Sequence, residues 1–348
     1  MHDLICKDNL IIDIYFIVHY ITCLTSKVVI RAEKGIGKSI AIDFARAGYI
    51  MMINDIVERE LEQTVRDILS SLPQKINSKS MNKNTINQNS RISYFVGDIS
   101  KEEVSISLME ETIKKFGTID VLINNATISQ QSIASQSYEM SAAATSASAN
   151  ASTNYQGEGQ PSPYFTVEEY GIVDTNLEGI YFCIRELVKQ LLIYKNLDSD
   201  GTIKKRNNKN DIDIKKKVDC SIINIASCYN TIPSSQADAY TFSQSGVDPF
   251  TSSRSSIKSL TESIALQLAD KGIRVNAIAP GIIDSDISNE ILEDNEKKEQ
   301  VEHEIPLQRI GRAQEIAKVA LFLASEVSSY VTGTMIYSDG GLSLRDSR

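Results

Sequence analysis

The chain has 348 residues, 42% of them hydrophobic, with a net charge of −9. That length suits one long α/β domain better than two large ones, and the apolar content is enough for a sizeable core. The acidic balance argues against a nucleic-acid-binding protein. The five cysteines (Cys6, Cys23, Cys183, Cys220, Cys228) are odd in number and scattered, and with only three histidines they form no metal-ligand spacing and leave little for a Ser-His-Asp triad. They read as buried or incidental thiols of a reducing compartment, so a cytoplasmic location is expected and a metal is not.

In chain order, LIIDIYFIVHYITCL (10–24) is apolar but carries Asp13 and His19. It is shorter than the roughly 20 residues of a membrane span and lacks a basic leader and a clear cleavage site. It reads as an extension, residues 1–26, packed on the domain; an organellar leader or signal anchor is the competing reading. KVVI (27–30) is a strand, followed by a glycine turn and the helix GKSIAIDFARAG. YIMMIND (49–55) is a second strand and ERELEQTVRDILSSL a helix. SYFVGD (93–98) is a third strand, KEEVSISLMEETIKKFG a helix and IDVLINNA (119–126) a fourth strand. VEEYGIVDTNLEGIYFCIRELVKQLLIY forms one long helix or two. CSIINIAS (220–227), the helix SSIKSLTESIALQLADKG and IRVNAIAP (273–280) follow, then the helix AQEIAKVALFLAS and a seventh strand in GTMIYSDGG (333–341).

Alternation of this kind predicts a doubly wound parallel sheet of about seven strands with helices on both faces. Ligands of such sheets lie outside the carboxyl ends of the strands. Four stretches break the rhythm: about 74–91 (Asn-rich), 129–164 (Ser/Ala-rich), 196–217 (charged) and 244–253. The first three fall between elements, where insertions are tolerated and low-complexity sequence is expected to be disordered. The basic run inside 203–217 is broken by Asp211 and Asp213 and reads as a solvated loop rather than a phosphate-binding patch. The fourth stretch cuts into a helix.

Gly35 and Gly37, after the first strand and opening the first helix, let the backbone approach a pyrophosphate at a helix N-terminus. Asp55, at the end of the second strand, is placed to bind a ribose diol and to repel a 2′-phosphate, which favours NAD over NADP. Its plainer reading is a helix N-cap.

The segments KGIGKSIA, VGDIS, IDVLINNA, VDTNLEGIYF, IINIAS, SSQADAY, SLTESIALQLADKGIRVNAIAPGII and FLASEVSSYVTGTMIYSDGG resemble, in order, those of short-chain dehydrogenases/reductases. IPLQRIGRAQEIAKVALFLAS is similar to 3-oxoacyl-acyl-carrier-protein reductases and to sugar or polyol dehydrogenases of that family. The resemblance implies a single Rossmann-type domain over 27–348 and an NAD(P)-dependent oxidoreductase. Its substrate would be a small carbonyl or secondary alcohol, or a carrier-bound acyl chain, and its assembly a homodimer or homotetramer. It implies that Gly35, Ile36 and Gly37 line the pyrophosphate turn, that Asp98 and Ile99 hold the adenine and that Asn125 and Ala126 pass the ribose. Pro280, Gly281 and Ile283 would flank the nicotinamide, with Ser285 the hydroxyl residue after them. Asn176 would support a relay water, Ser227 would bind the substrate oxygen and Tyr240 would act as acid/base.

That chemistry is coherent: a developing alkoxide needs a proton, and a tyrosine near pKa 10 needs a neighbouring cation to act near neutrality. The chain departs from the pattern at three points. Arg31 replaces the first glycine of the turn and Thr127 a glycine after Asn125–Ala126. Gln244 stands four residues after Tyr240, where the family has lysine. If QSGVDPFTSS (244–253) loops out of the helix, as Gly246 and Pro249 suggest, Arg254 takes the lysine's place, though Arg is no simple stand-in for Lys. A second alignment sets Phe250 and Arg254 in the Tyr and Lys positions and supplies no acid/base. Deleting QSGVDPFTSSR and restoring one lysine gives an unbroken family helix, so an unspliced segment is a third reading. A catalytically impaired dinucleotide-binding module is the alternative to an enzyme. The specificity loop is expected in DSDISNEILEDNEKKEQVEHE (284–304).

Overall fold

A computed structural model of the chain describes residues 26–30, 34–72, 91–125, 177–194, 219–228, 249–284 and 295–347. Seven strands form one sheet: β1 (Ser26–Ile30), β2 (Ile50–Asp55), β3 (Ile92–Val96), β4 (Val121–Asn124), β5 (Cys220–Ile225), β6 (Ile273–Pro280) and, near the end of the chain, β9 (Met335–Ser338). Their order is β3-β2-β1-β4-β5-β6-β9, and every pairing is parallel. β1 pairs with β2 on one side and β4 on the other, Ile30 standing opposite both Asn54 and Asn124. The chain therefore winds outward in both directions from β1, and the switch point lies between β1 and β4.

Helices cover both faces. Helices α1 (Gly35–Arg46) and α2 (Glu58–Ser71) lie on one face with the late helix α7 (Ala313–Ala324). Helices α3 (Glu102–Phe116), α4 (Gly179–Tyr194) and α5 (Pro249–Leu268) lie on the other. Alternate strand residues divide between the two cores, as the pleat requires. Met51, Ile53, Val121, Ile123, Ile223, Ile225 and Ile278 join Phe44 of α1 and Ile316 of α7. Met52, Leu122, Ile222, Val275 and Ala277 join Leu108 of α3, Ile180 and Leu187 of α4 and Ile257 and Ile264 of α5. Burial on both faces is why these strands read as continuous apolar runs rather than alternating ones.

A third, smaller cluster sits beyond the strand ends. Cys228, Ile282, Val301, Ile305, Ile310 and Leu342 are buried together there. Its Val301 comes from helix α6 (Asn295–Glu304), inside the expected specificity loop, and its Ile282 and Ile310 each precede a strand of a short parallel pair, β7 (Ile283–Asp284) with β8 (Gly311–Arg312); neither feature was foreseen in the sequence.

Two expectations are corrected. Asp55 is not a helix cap: α2 begins after Val57, and an Asp55 carboxylate oxygen accepts the adjacent Ile56 N–H at 2.7 Å. Nor do residues 249–253 leave the helix that carries Arg254. α5 starts at Pro249, where a proline's missing N–H has no helical partner to lose and its fixed φ suits the first turn. Of the chain ahead of β1, residues 1–25 lie outside the described residues, as do the expected insertions 129–164 and 196–217 and most of 74–91.

Candidate functional site

The site is built where β1, β4, β5 and β6 end. Helix α1 opens at Gly35, whose φ of +55° lies in the left-handed region that glycine enters without strain. The preceding Lys34 is extended and supplies no side-chain cap, and the first turn holds no acidic residue. Among the described residues, therefore, no side chain answers the first N–H groups of α1 or the positive end of its dipole. Gly37 is buried and Ile36 packs at the edge of the core.

Beyond this turn, Asn54 donates from its side chain to the Phe95 carbonyl at 2.9 Å and the Gly97 carbonyl at 3.0 Å. It ties the end of β2 to that of β3. Asp55, next in sequence and buried, accepts the Gly97 N–H on its backbone carbonyl at 2.9 Å. Asp98 closes a turn, its carboxylate accepting the Ser100 N–H at 3.0 Å. The Ile99 side chain is buried against α4 under Gly179, so only its backbone is left for a ligand.

On the other side of the switch point three buried polar side chains form a chain. Asn124 of β4 donates to the Asn224 side-chain oxygen at 2.8 Å, and Asn224 of β5 donates to the Thr261 hydroxyl of α5 at 3.0 Å. A buried polar group left unpaired costs about 1–3 kcal/mol, so this chain fixes the register of α5 against the strands. The Asn124 side-chain oxygen is buried with no partner among the described residues. Asn125, partly buried, follows at the end of β4, and Ser227, also partly buried, follows β5. Ala226 is tied to β6 by its N–H, which the Ile278 carbonyl accepts at 2.7 Å.

β6 ends at Pro280, and Gly281 turns the chain against the C-terminal strand. A Cβ at Gly281 would stand 2.7 Å from the Asp339 Cα, so no side chain fits. Ile283 is buried in β7 and pairs with Gly311.

Of the expected site residues, Gly35, Ile36, Gly37, Asp55, Asp98, Ile99, Asn125, Ser227, Pro280, Gly281 and Ile283 thus fall on the carboxyl side of the sheet. Ala126, Asn176, Tyr240 and Ser285, and the departures Arg31, Thr127 and Gln244, lie outside the described residues. Arg254 lies on α5, two helical turns before Thr261. Because α5 runs unbroken from Pro249, the residue one turn before Arg254 within the helix is Phe250. Sequence reasoning missed the Asn54 and Asn124–Asn224–Thr261 contacts, whose only signal was polar residues inside strands that read as buried. Among the described residues no cluster of His, Cys, Asp or Glu is arranged to hold a metal, and no helix is long and apolar enough to cross a membrane.

Strand order, switch point and an uncapped helix after β1 define a doubly wound nucleotide-binding fold of the Rossmann type. Within that class the chain belongs to the short-chain dehydrogenase family: the short chain dehydrogenase family model matches residues 27–203, and the enoyl-(acyl carrier protein) reductase model matches 212–343. The 3-oxoacyl-acyl-carrier-protein reductase of Staphylococcus aureus strain N315 is 28% identical over 317 residues, 91% of this chain and 97% of that protein. The corresponding reductase of Staphylococcus epidermidis strain ATCC 12228 is 26% identical over 91% of this chain and 98% of its own length. Among solved structures, an actinorhodin polyketide ketoreductase variant with NADPH superposes with a TM-score of 0.64 at 18% identity, covering 92% of this chain and 97% of that one. The aldohexose dehydrogenase of Thermoplasma acidophilum superposes at 0.59 with 23% identity, covering 92% and 94%. The chain is thus a member of an oxidoreductase family.

Proposed function

We propose that the chain is an NAD(P)-dependent oxidoreductase that reduces a carbonyl or oxidises a secondary alcohol. The observation that carries this reading is the convergence of the α1 start, Asp55, Asn125, Ser227 and Gly281 on the strand ends around the switch point. The residues present fit a dinucleotide on two counts. Lys34 places no side-chain cap on α1, whose first turn holds no acidic residue, and the buried Asn124 oxygen has no partner among the described residues at the same edge. Gly35–Gly37 would take the diphosphate, Asp55 the adenosine ribose, Asp98 and the Ile99 backbone the adenine, and Asn125 with Ala126 the far ribose. Pro280, Gly281 and Ile283 would flank the nicotinamide, which supplies or accepts a hydride when bound.

In this reading Ser227 donates to the substrate oxygen and stabilises its growing charge. Tyr240 gives or takes the proton, Asn176 supports its relay, and Arg254, which α5 does not set one turn after Tyr240 in a shared helix, would have to meet Tyr240 through space to supply the positive charge that favours a phenolate. A carboxylate at Asp55 favours NAD over NADP. The relatives' names support a substrate of the 3-oxoacyl class carried on acyl-carrier protein, and the solved ketoreductase and sugar dehydrogenase keep small carbonyls and polyols beside it. A homodimer or homotetramer in the cytoplasm completes the proposal. It is tested with purified full-length chain by titration with NADH and NADPH and by turnover on a panel of 3-oxoacyl thioesters, ketones and sugars. Detectable turnover that falls at least ~100-fold in Tyr240→Phe is expected; equal turnover in that variant removes Tyr240 from the reaction.

One observation favours a second reading, a dinucleotide-binding module without catalysis. The α5 helix sets Phe250, with no proton to give, one turn before Arg254. Dinucleotide binding with no turnover over the same panel selects it.

A further inference from the structure

The C-terminal turn after β9 reaches three parts of the candidate site at once, and one carboxylate organises it. Asp339 is nearly buried, at 9% exposure. One of its carboxylate oxygens accepts the Gly341 N–H at 2.9 Å, and the other accepts the Ser343 N–H at 2.9 Å. Its backbone carbonyl accepts the Leu342 N–H at 3.2 Å. Both carboxylate oxygens and the main chain therefore hold one conformation of residues 339–343.

That conformation bears on the site in three places. Gly281 lies directly on the Asp339 backbone and donates its N–H to the Ser338 carbonyl at 3.1 Å. Gly340 accepts the Leu307 N–H at 3.1 Å, which ties down the segment after α6. Leu342 packs with Cys228, the neighbour of Ser227, and with Ile282, the neighbour of Gly281. Burial pushes the Cys228 thiol up to about 12, and the negative charge of Asp339 adds to that rise, which places the carboxylate's field at the end of β5.

We propose that Asp339 is a positioning residue that holds Gly281 and Ser227 in fixed relation, and so aligns the nicotinamide end of the site with the substrate oxygen. The proposal deepens the reductase reading and rests on it for its effect on turnover. Among the described residues the hydrogen bonds of Asp339 stay within its own turn and none joins it to α1 or Asp55, so its loss should disturb one end of the site and leave the diphosphate and adenine end in place. A misplacement of an ångström at the reacting centre is costly in rate while costing little in binding.

The test uses the full-length chain, Asp339→Ala and the conservative Asp339→Asn, which keeps one acceptor. Native-state alkylation by N-ethylmaleimide is mapped by peptide mass spectrometry, with Cys183, buried between α3 and α4, reporting general loosening. In Asp339→Ala, Cys228 is expected to react at least ~10-fold faster while Cys183 keeps its rate, as for a local opening. NADH affinity should stay within about threefold while kcat falls at least ~10-fold, with Asp339→Asn intermediate in both. Unchanged Cys228 protection in Asp339→Ala overturns the proposal. So does a joint rise at Cys228 and Cys183, which marks an ordinary stability role. If Asp339→Ala does not fold, Asp339→Asn is judged by the same criteria. If the wild-type chain binds neither NADH nor NADPH, the reductase reading falls, and Cys228 against Cys183 alone decides whether Asp339 holds the turn.

Discussion

Helices α1 and α7 pack against each other on one face of the sheet, in a shared core with Phe44 and Ile316, yet they begin in opposite ways. α7 starts closed. Glu315 in its first turn accepts the Arg312 N–H at 2.8 Å, and Arg309 grips the same carboxylate with two bonds of 2.9 and 2.7 Å. α1 starts open: Lys34 offers no cap, no acid stands in its first turn, and Gly35 offers partly exposed backbone in place of a side chain. A helix N-terminus carries the equivalent of about half a positive charge. At α7 that charge is answered within the protein; at α1 no described side chain answers it. The contrast sets a helix start completed within the protein against the one proposed to bind the diphosphate.

The largest effect should come from closing α1. Gly37→Glu puts a negative charge and a side chain where a diphosphate would lie, so dinucleotide affinity should fall at least ~100-fold. The check is titration with NADH and NADPH, with circular dichroism to verify the fold. An affinity unchanged in a folded Gly37→Glu variant would mean that the open start of α1 is not the diphosphate site.

Opening α7 should act on stability alone. Hydrogen bonds from Arg309 first, then from the Arg312 N–H, hold the Glu315 carboxyl down at about 2. A depressed carboxylate stabilises the fold above its ordinary value and loses that contribution as pH falls. The window here runs from about 4.5 down to about 2. Because the pair is partly exposed and screened, Glu315→Gln should lower Tm by only about 2 °C at pH 7. The gap to wild type should narrow below pH 4.5 and close near pH 2, and thermal scans across that range check it. Dinucleotide affinity should not move; if it falls with Tm, the two helix starts are not independent.

Most of the strands were legible because burial on both faces leaves an unmistakable apolar run, as in IMMIND and CSIINI. The places of the glycine turn after β1 and of Asp55 at the end of β2 were legible because a strand precedes each and a helix follows. Helix α6 was not: of NEKKEQVEHE only Val301 is buried, and one apolar residue in ten leaves no periodic signal. The β7–β8 pair spans two residues on each side, too short for any alternation. Pro249 misled because proline argues against a helix interior but suits a first turn, and which applies depends on where the helix begins. Asp339 was passed over for a different reason. Its two bonds are local, but its contact with Gly281 joins residues nearly sixty positions apart, and only the sheet order brings them together.

The smallest effect concerns Lys38, which follows Gly37 in the first turn of α1 and so stands near the proposed diphosphate site. The structure commits it elsewhere. Its ammonium bonds an Asp67 oxygen on α2 at 2.5 Å, and Asp67 also accepts from Gln63 at 2.8 Å. The ammonium holds the Asp67 carboxyl below its usual range, the sign of a real pair. Both side chains are about one-third exposed, and a pair of that kind contributes less than about 1 kcal/mol. Lys38→Ala should therefore lower stability slightly in urea unfolding and change dinucleotide affinity by less than about threefold. A loss of tenfold or more would instead require the ammonium to leave Asp67 and turn to the phosphates on binding. The open start of α1 would then owe its selectivity to a mobile side chain as well as to its backbone.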